Sequence, residues 1–246
     1  MAADLPHTGS VNDEELLSRV REMREGGRSP KQIAKVLGLR PAVVAPLVRQ
    51  VAALQQSYEN PADRALLGCW VSPGWSAGLG LDDAPQWAAA DPVGETDPGT
   101  GGLAKVLIAR QERGSRATVC GFLVDVYCLG VKDTVGPLAM GSDSIATFRR
   151  DFFAAFNDEP LAVPLDLAQH LVHGAVAYAR DLGFEPSSGL AATAPYLGMP
   201  PSPTPVRFGR EGSPFYISGP YDNPRAVVQT LEATAGAGNY HYIAHL

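Results

Sequence analysis

The sequence predicts an α+β protein: a three-helix N-terminal part, residues 1–58, followed by an α+β domain with an antiparallel sheet, residues 103–246. Three observations carry that prediction. Cys120–Asp133, CGFLVDVYCLGVKD, alternates with a period of two. Cys120, Phe122, Val124, Val126 and Cys128 share one apolar face; Gly121, Leu123, Asp125, Tyr127 and Leu129 share a mixed one, as in a central strand. Leu165, Ala168, Leu171, Val172, Ala175, Ala179 and Leu182 instead repeat at helical spacing. Capped helical segments punctuated by Gly and Pro fill the first 58 residues.

The totals agree. The chain has 246 residues, 45% of them apolar, enough for a real core, and only 19% charged, with 26 Gly and 21 Pro. That is a globular composition with long turn-rich connections. The net charge of −6 is uneven: residues 1–58 carry eight basic and six acidic side chains, a net +2, leaving −8 for the rest. A mildly basic head on an acidic body suits a head that binds nucleic acid. Cys69, Cys120 and Cys128 form no CxxC pair, and the last two lie too far apart on one straight strand to bridge, so reduced thiols and a cytoplasmic location are expected. No apolar run approaches the roughly 18–20 residues of a membrane span, so no membrane partner is expected.

In order along the chain, Ser10 or Asn12 caps a first helix running to about Glu25, with Asp13, Glu14 and Glu15 in the turn where acids suit the dipole. Gly26-Gly27 stops it. Ser29 caps a second helix, Pro30 suits its first position, and Gly38 ends it. Pro41 starts a third helix that runs through Val51 and Leu54 towards Tyr58, with Pro46 inside it. Ile33, Leu37, Leu39, Val44 and Leu47 are the expected three-helix core, Ala34 lets two helices cross closely, and Gly38 permits a left-handed turn. SPKQIAKVLGLRPAVVAPLV thereby resembles the helix-turn-helix of bacterial regulators. The resemblance implies DNA binding, with phosphate contacts from Arg28, Lys31, Lys35 and Arg49, Arg40 near the groove, and Gln50 in reach.

Residues 59–102 read as a connection. Its Gly, Pro and Asp content from Ser72 to Gly102 excludes one regular element, and residues 82–101 read as an insertion. Trp70 and Trp75 are expected to pack on the following domain. GLGLDD lacks the rest of a dinucleotide or phosphate-loop fingerprint. In the body, Leu103–Gln111 and Arg116–Gly130 are strands joined by a hairpin at Glu112–Ser115. Ile145–Phe156 is a Phe-rich helix, and Pro164 or Asp166 opens one closed by Gly183. Val206–Gly219 reads as a second hairpin turning at Arg210–Ser213, Asn223–Thr234 as a helix, and Asn239–Leu246 as a tail that can add a strand.

Five motifs of this body, Cys69–Trp75, Ala109-Arg110, Leu123–Asp133, Gly174–Phe184 and Phe208–Asp222, resemble those of a family of bacterial proteins without assigned activity. The resemblance covers about residues 66–240 and brings no catalytic residues with it.

Three further sets bear on chemistry. Asp166, His170 and His173 cluster on one helix face, opposite the apolar stripe, and are weak metal-ligand candidates; the plain alternative is a solvated polar face, and no cofactor is expected. Cys128 beside a histidine of that helix is a weak nucleophile candidate, against a buried hydrophobe. Asp125, Tyr127, Cys128 and Lys132 are weak catalytic candidates; the alternative is a buried hydrogen-bond network with Arg110 as partner of Asp125. The function expected is a nucleic-acid-binding protein, duplex DNA first, a transcriptional regulator whose body dimerises, senses a ligand or meets a protein. The rivals are an enzyme, hydrolytic or nucleic-acid-processing, targeted by the head, and a protein- or ribosome-binding factor.

Overall fold

A computed structural model describes residues 10–58, 60–81, 101–155, 159–200 and 203–245. The chain forms two compact units, Met1–Asn60 and Pro61–Leu246.

The first unit contains α1 (Ser10–Glu25), α2 (Pro30–Leu37) and α3 (Pro41–Tyr58). Ser29 caps α2 reciprocally: its Oγ accepts the Gln32 N–H at 3.4 Å, and Gln32 Oε1 accepts the Ser29 N–H at 2.8 Å. Gly38 closes α2 at φ 66°, a left-handed conformation that glycine adopts without strain. Val20, Ile33, Ala34, Val44 and Val51 are buried together, with Leu17, Met23, Leu37, Leu39, Leu47 and Val48 packed around them. Of the five residues expected in this core, Ile33 and Val44 are buried and Leu37, Leu39 and Leu47 are partly buried against them; α1 adds Val20 and α3 adds Val51.

The second unit is mixed α+β. β1 (Leu66–Val71), β3 (Leu103–Gln111), β4 (Arg116–Asp125), β5 (Gly130–Gly141) and β6 (Leu161–Ala162) form a five-stranded sheet in the order β5-β4-β3-β1-β6, antiparallel throughout. On one face α5 (Leu165–Asp181) and α6 (Leu190–Leu197) cover Val106, Ile108, Phe122 and Val124. On the other, α4 (Ile145–Phe153) covers Leu107, Ala109 and Val119. β2 (Gly80–Leu81) pairs with β7 (Val206–Arg207), and β8 (Phe215–Ile217) pairs in parallel with β9 (His241–Ile243), with α7 (Pro224–Thr234) between them in the chain. No helix among the described residues is long and apolar enough to cross a membrane.

Three expectations need correction. Cys120–Asp133 is not one strand: β4 ends at Asp125 and the chain reverses into β5. Asp125 Oδ1 accepts the N–H groups of Tyr127 at 2.9 Å and Cys128 at 3.0 Å, offering the backbone a turn in place of a ladder. Gly130, at φ 66°, completes the reversal. The stretch read as connection includes β1, which sits inside the sheet because Cys69 and Val71 supply a buried face. Trp75 is buried in the main core and Trp70 lies on the α4 face, so both pack on the body. Val206–Gly219 is no hairpin: Arg210 and Ser213 do bridge across a turn, but the flanking strands take different partners. The insertion at 82–101 and Phe156 fall outside the described residues, apart from Gly101.

Candidate functional site

Two places collect the polar side chains singled out above. In the first unit, Arg28, Lys31, Lys35, Arg40, Arg49 and Gln50 are all exposed. Lys31 and Lys35 stand one turn apart on α2. The Arg40 carbonyl accepts the N–H groups of Val43 at 2.9 Å and Val44 at 3.3 Å, so Arg40 immediately precedes α3 and receives its first backbone bonds. Burying Val44 leaves Ala42, Val43, Ala45, Pro46, Arg49 and Gln50 on the open side of α3. No acidic residue occurs between Glu25 and Glu59, whereas the six acids of residues 1–58 all lie at or before Glu25. α2 and α3 therefore present cations only.

In the second unit, the β4–β5 turn and the loop after β8 meet. Lys132 Nζ donates to both Asp222 carboxylate oxygens at 2.8 Å. Asp222 Oδ2 also accepts the Gly219 N–H at 2.8 Å and the Tyr216 hydroxyl proton at 3.3 Å. Burial pushes the Asp222 carboxyl up, but the Lys132 ammonium and the Gly219 N–H outweigh it and hold it below its usual value. Asp125 is 4% exposed, and burial pushes its carboxyl up to about 6 against the N–H groups and Lys132 that favour its charge. The Tyr127 hydroxyl donates to the Ala77 carbonyl at 2.6 Å. Cys128 is buried with Leu182, Tyr216 and Leu231, and burial drives its thiol far from the thiolate that a nucleophile requires. Clefts of about 690 Å³, lined by Ser76, Gly78, Arg207 and Glu211 among others, and about 370 Å³, lined by Tyr178, Thr204 and Phe208 among others, are lined by none of Asp125, Tyr127, Cys128 and Lys132. Asp125 and Tyr127 bind the turn and its neighbours together through these hydrogen bonds.

The partners differ from those expected. Arg110 faces Thr118 in the β3–β4 register, whereas Asp125 faces Leu103 at the other end of the ladder. Arg110 donates instead to the Tyr196 carbonyl and the Arg64 carbonyl, each at 2.9 Å. Asp222, the true partner of Lys132, lies 90 residues along the chain, and no spacing rule links the two.

Asp166, His170 and His173 do not form an open polar face. His170 is 4% exposed, His173 Nε2 lies 2.7 Å from the Gly198 carbonyl oxygen, and Asp166 Oδ1 accepts the Leu167 N–H. A carbonyl only accepts, so the His173 proton sits on Nε2. Gln169 donates to the Leu197 carbonyl at 3.0 Å, because α6 and its C-terminal turn cover the side of α5 that the helical count left open. Among the described residues no three His, Cys, Asp or Glu side chains converge as a metal-ligand set.

Comparison with protein-family models, with curated proteins and with solved structures finds no match to this chain.

Proposed function

We propose that the first unit is a helix-turn-helix that binds nucleic acid, duplex DNA first, and that the body serves it as a regulatory or partner-binding domain. One observation carries the reading: from Gly26 to Tyr58 every charged side chain is basic, and Arg28, Lys31, Lys35, Arg40 and Arg49 are all exposed. A surface with cations and no acids attracts a polyanion and releases its counterions. Lys31 and Lys35 on α2, with Arg28 before it and Arg49 on α3, are placed for phosphates, and Arg40 and Gln50 carry donors for base edges.

The test is fluorescence anisotropy of the full chain on a labelled generic duplex across a salt series. Four phosphate contacts give a plot of log affinity against log salt with a slope of about −3 to −4. Arg40→Ala/Arg49→Ala weakens binding and flattens that slope by about 1. Binding that is absent at low salt, or indifferent to salt, overturns the reading and moves attention to the acidic body.

A further inference from the structure

The open side of α3 is short of groups that hydrogen-bond to bases. Ala42, Val43 and Pro46 lie one, three and four residues apart on one helix face, all exposed, and none has a side-chain donor or acceptor. Val43 is 48% exposed, whereas Val20, Ile33 and Val44 of the same unit are wholly buried. Val36 on α2 is also open, at 53%, but Val43 is the one that joins Ala42 and Pro46 in a small contiguous apolar patch on α3.

Charge decides what covers it. Arg40 stands three residues before Val43 and Arg49 six after it, with no acid anywhere in α2 or α3. The matching surface is anionic at its rim and carries apolar groups inside. The major groove of duplex DNA is such a surface: phosphates line it, and the thymine C5 methyl is an apolar group on the base edges. Resting on the nucleic-acid reading above, we infer that this unit recognises thymine methyl groups in the major groove through Val43, with Ala42 and Pro46 beside it. Arg49, with Arg28, Lys31 and Lys35, holds the helix to the flanking phosphates. Sequence preference then follows methyl content at the positions under Val43, beside the hydrogen bonds that Arg40 and Gln50 make to base edges.

Replacing thymine by uracil removes that methyl and leaves every Watson–Crick and major-groove hydrogen-bonding group in place. The experiment measures affinity of the full chain for alternating dA·dT and dA·dU duplexes, and for alternating dG·dC duplexes with and without 5-methyl on the cytosine. The dT duplex binds about three- to fivefold tighter than the dU duplex per contacted methyl, and methylated dC gains by a similar factor over plain dC. Val43→Ala, an exposed position that leaves the core intact, brings the dT-to-dU ratio towards one while keeping the salt slope. Equal affinity for dT and dU duplexes, with salt-dependent binding retained, overturns the methyl inference and leaves the nucleic-acid reading standing. Binding to none of the duplexes overturns both.

Discussion

Asp125 shows how one residue can organise a turn and carry a pH signature. Its Oδ1 holds two amide N–H groups, so Asp125→Ala orphans buried donors and costs about 2–3 kcal/mol of body stability. Its carboxyl titrates at about 6 when folded, against an ordinary value of 3.8. Between those values the folded chain holds a proton that the unfolded chain has released. The stability this group contributes is therefore complete below about pH 4 and is lost as pH rises through about 6, a change of about 3 kcal/mol. Asp125→Asn keeps the Oδ1 acceptor and abolishes the titration. Urea unfolding followed by tryptophan fluorescence at pH 4.5 and pH 7 should show a steeper pH loss in the native chain than in the Asn variant; equal losses would contradict the assignment. The oddness of an acid among Phe122, Val124 and Val126 was legible in the sequence. Its partners were not, because the turn it caps exists only once β5 folds back on β4.

Elements record where local signals sufficed. Ser29, Pro30 and Gly38 bound α2 by their own backbone preferences and caps, and the helix begins and ends where they place it. Ser29→Ala removes the cap and is expected to lower the stability of the first unit by about 1 kcal/mol, read as an earlier loss of helical circular dichroism; an unchanged melt would count against the cap. The β4–β5 turn is more demanding. At Gly130 the backbone is left-handed, and an added Cβ would stand 2.8 Å from both the Ala175 carbonyl oxygen and the Ala179 Cβ of α5. Gly130→Ala is expected to destabilise the body by about 2–3 kcal/mol, a shift in the urea midpoint with no change in slope, since strain and overpacking add there. The period-two pattern ran straight through this turn because Val126 and Cys128 are buried as well, so burial alone could not mark the reversal.

At the scale of the whole molecule there are two compact units, each with its own core. Ser29→Ala should therefore move a transition seen by helical signal. Gly130→Ala should move the one reported by Trp70 and Trp75, which both pack in the second unit. Alternating and helical periodicities, with Gly and Pro punctuation, were enough to mark the three N-terminal helices, β3, β4 and α5, and the mixed α+β class. Those features depend on neighbours within a few residues, where spacing and burial are the same information. Long-range pairing settled the rest. β1 entered the sheet between β3 and β6, and Lys132 found Asp222. α6 and its C-terminal turn took the Gln169 and His173 side chains, and His170 is buried where an open polar face was expected. These depend on which surfaces meet after the chain has folded, and hydrogen-bond partners tens of residues apart leave no period in the sequence.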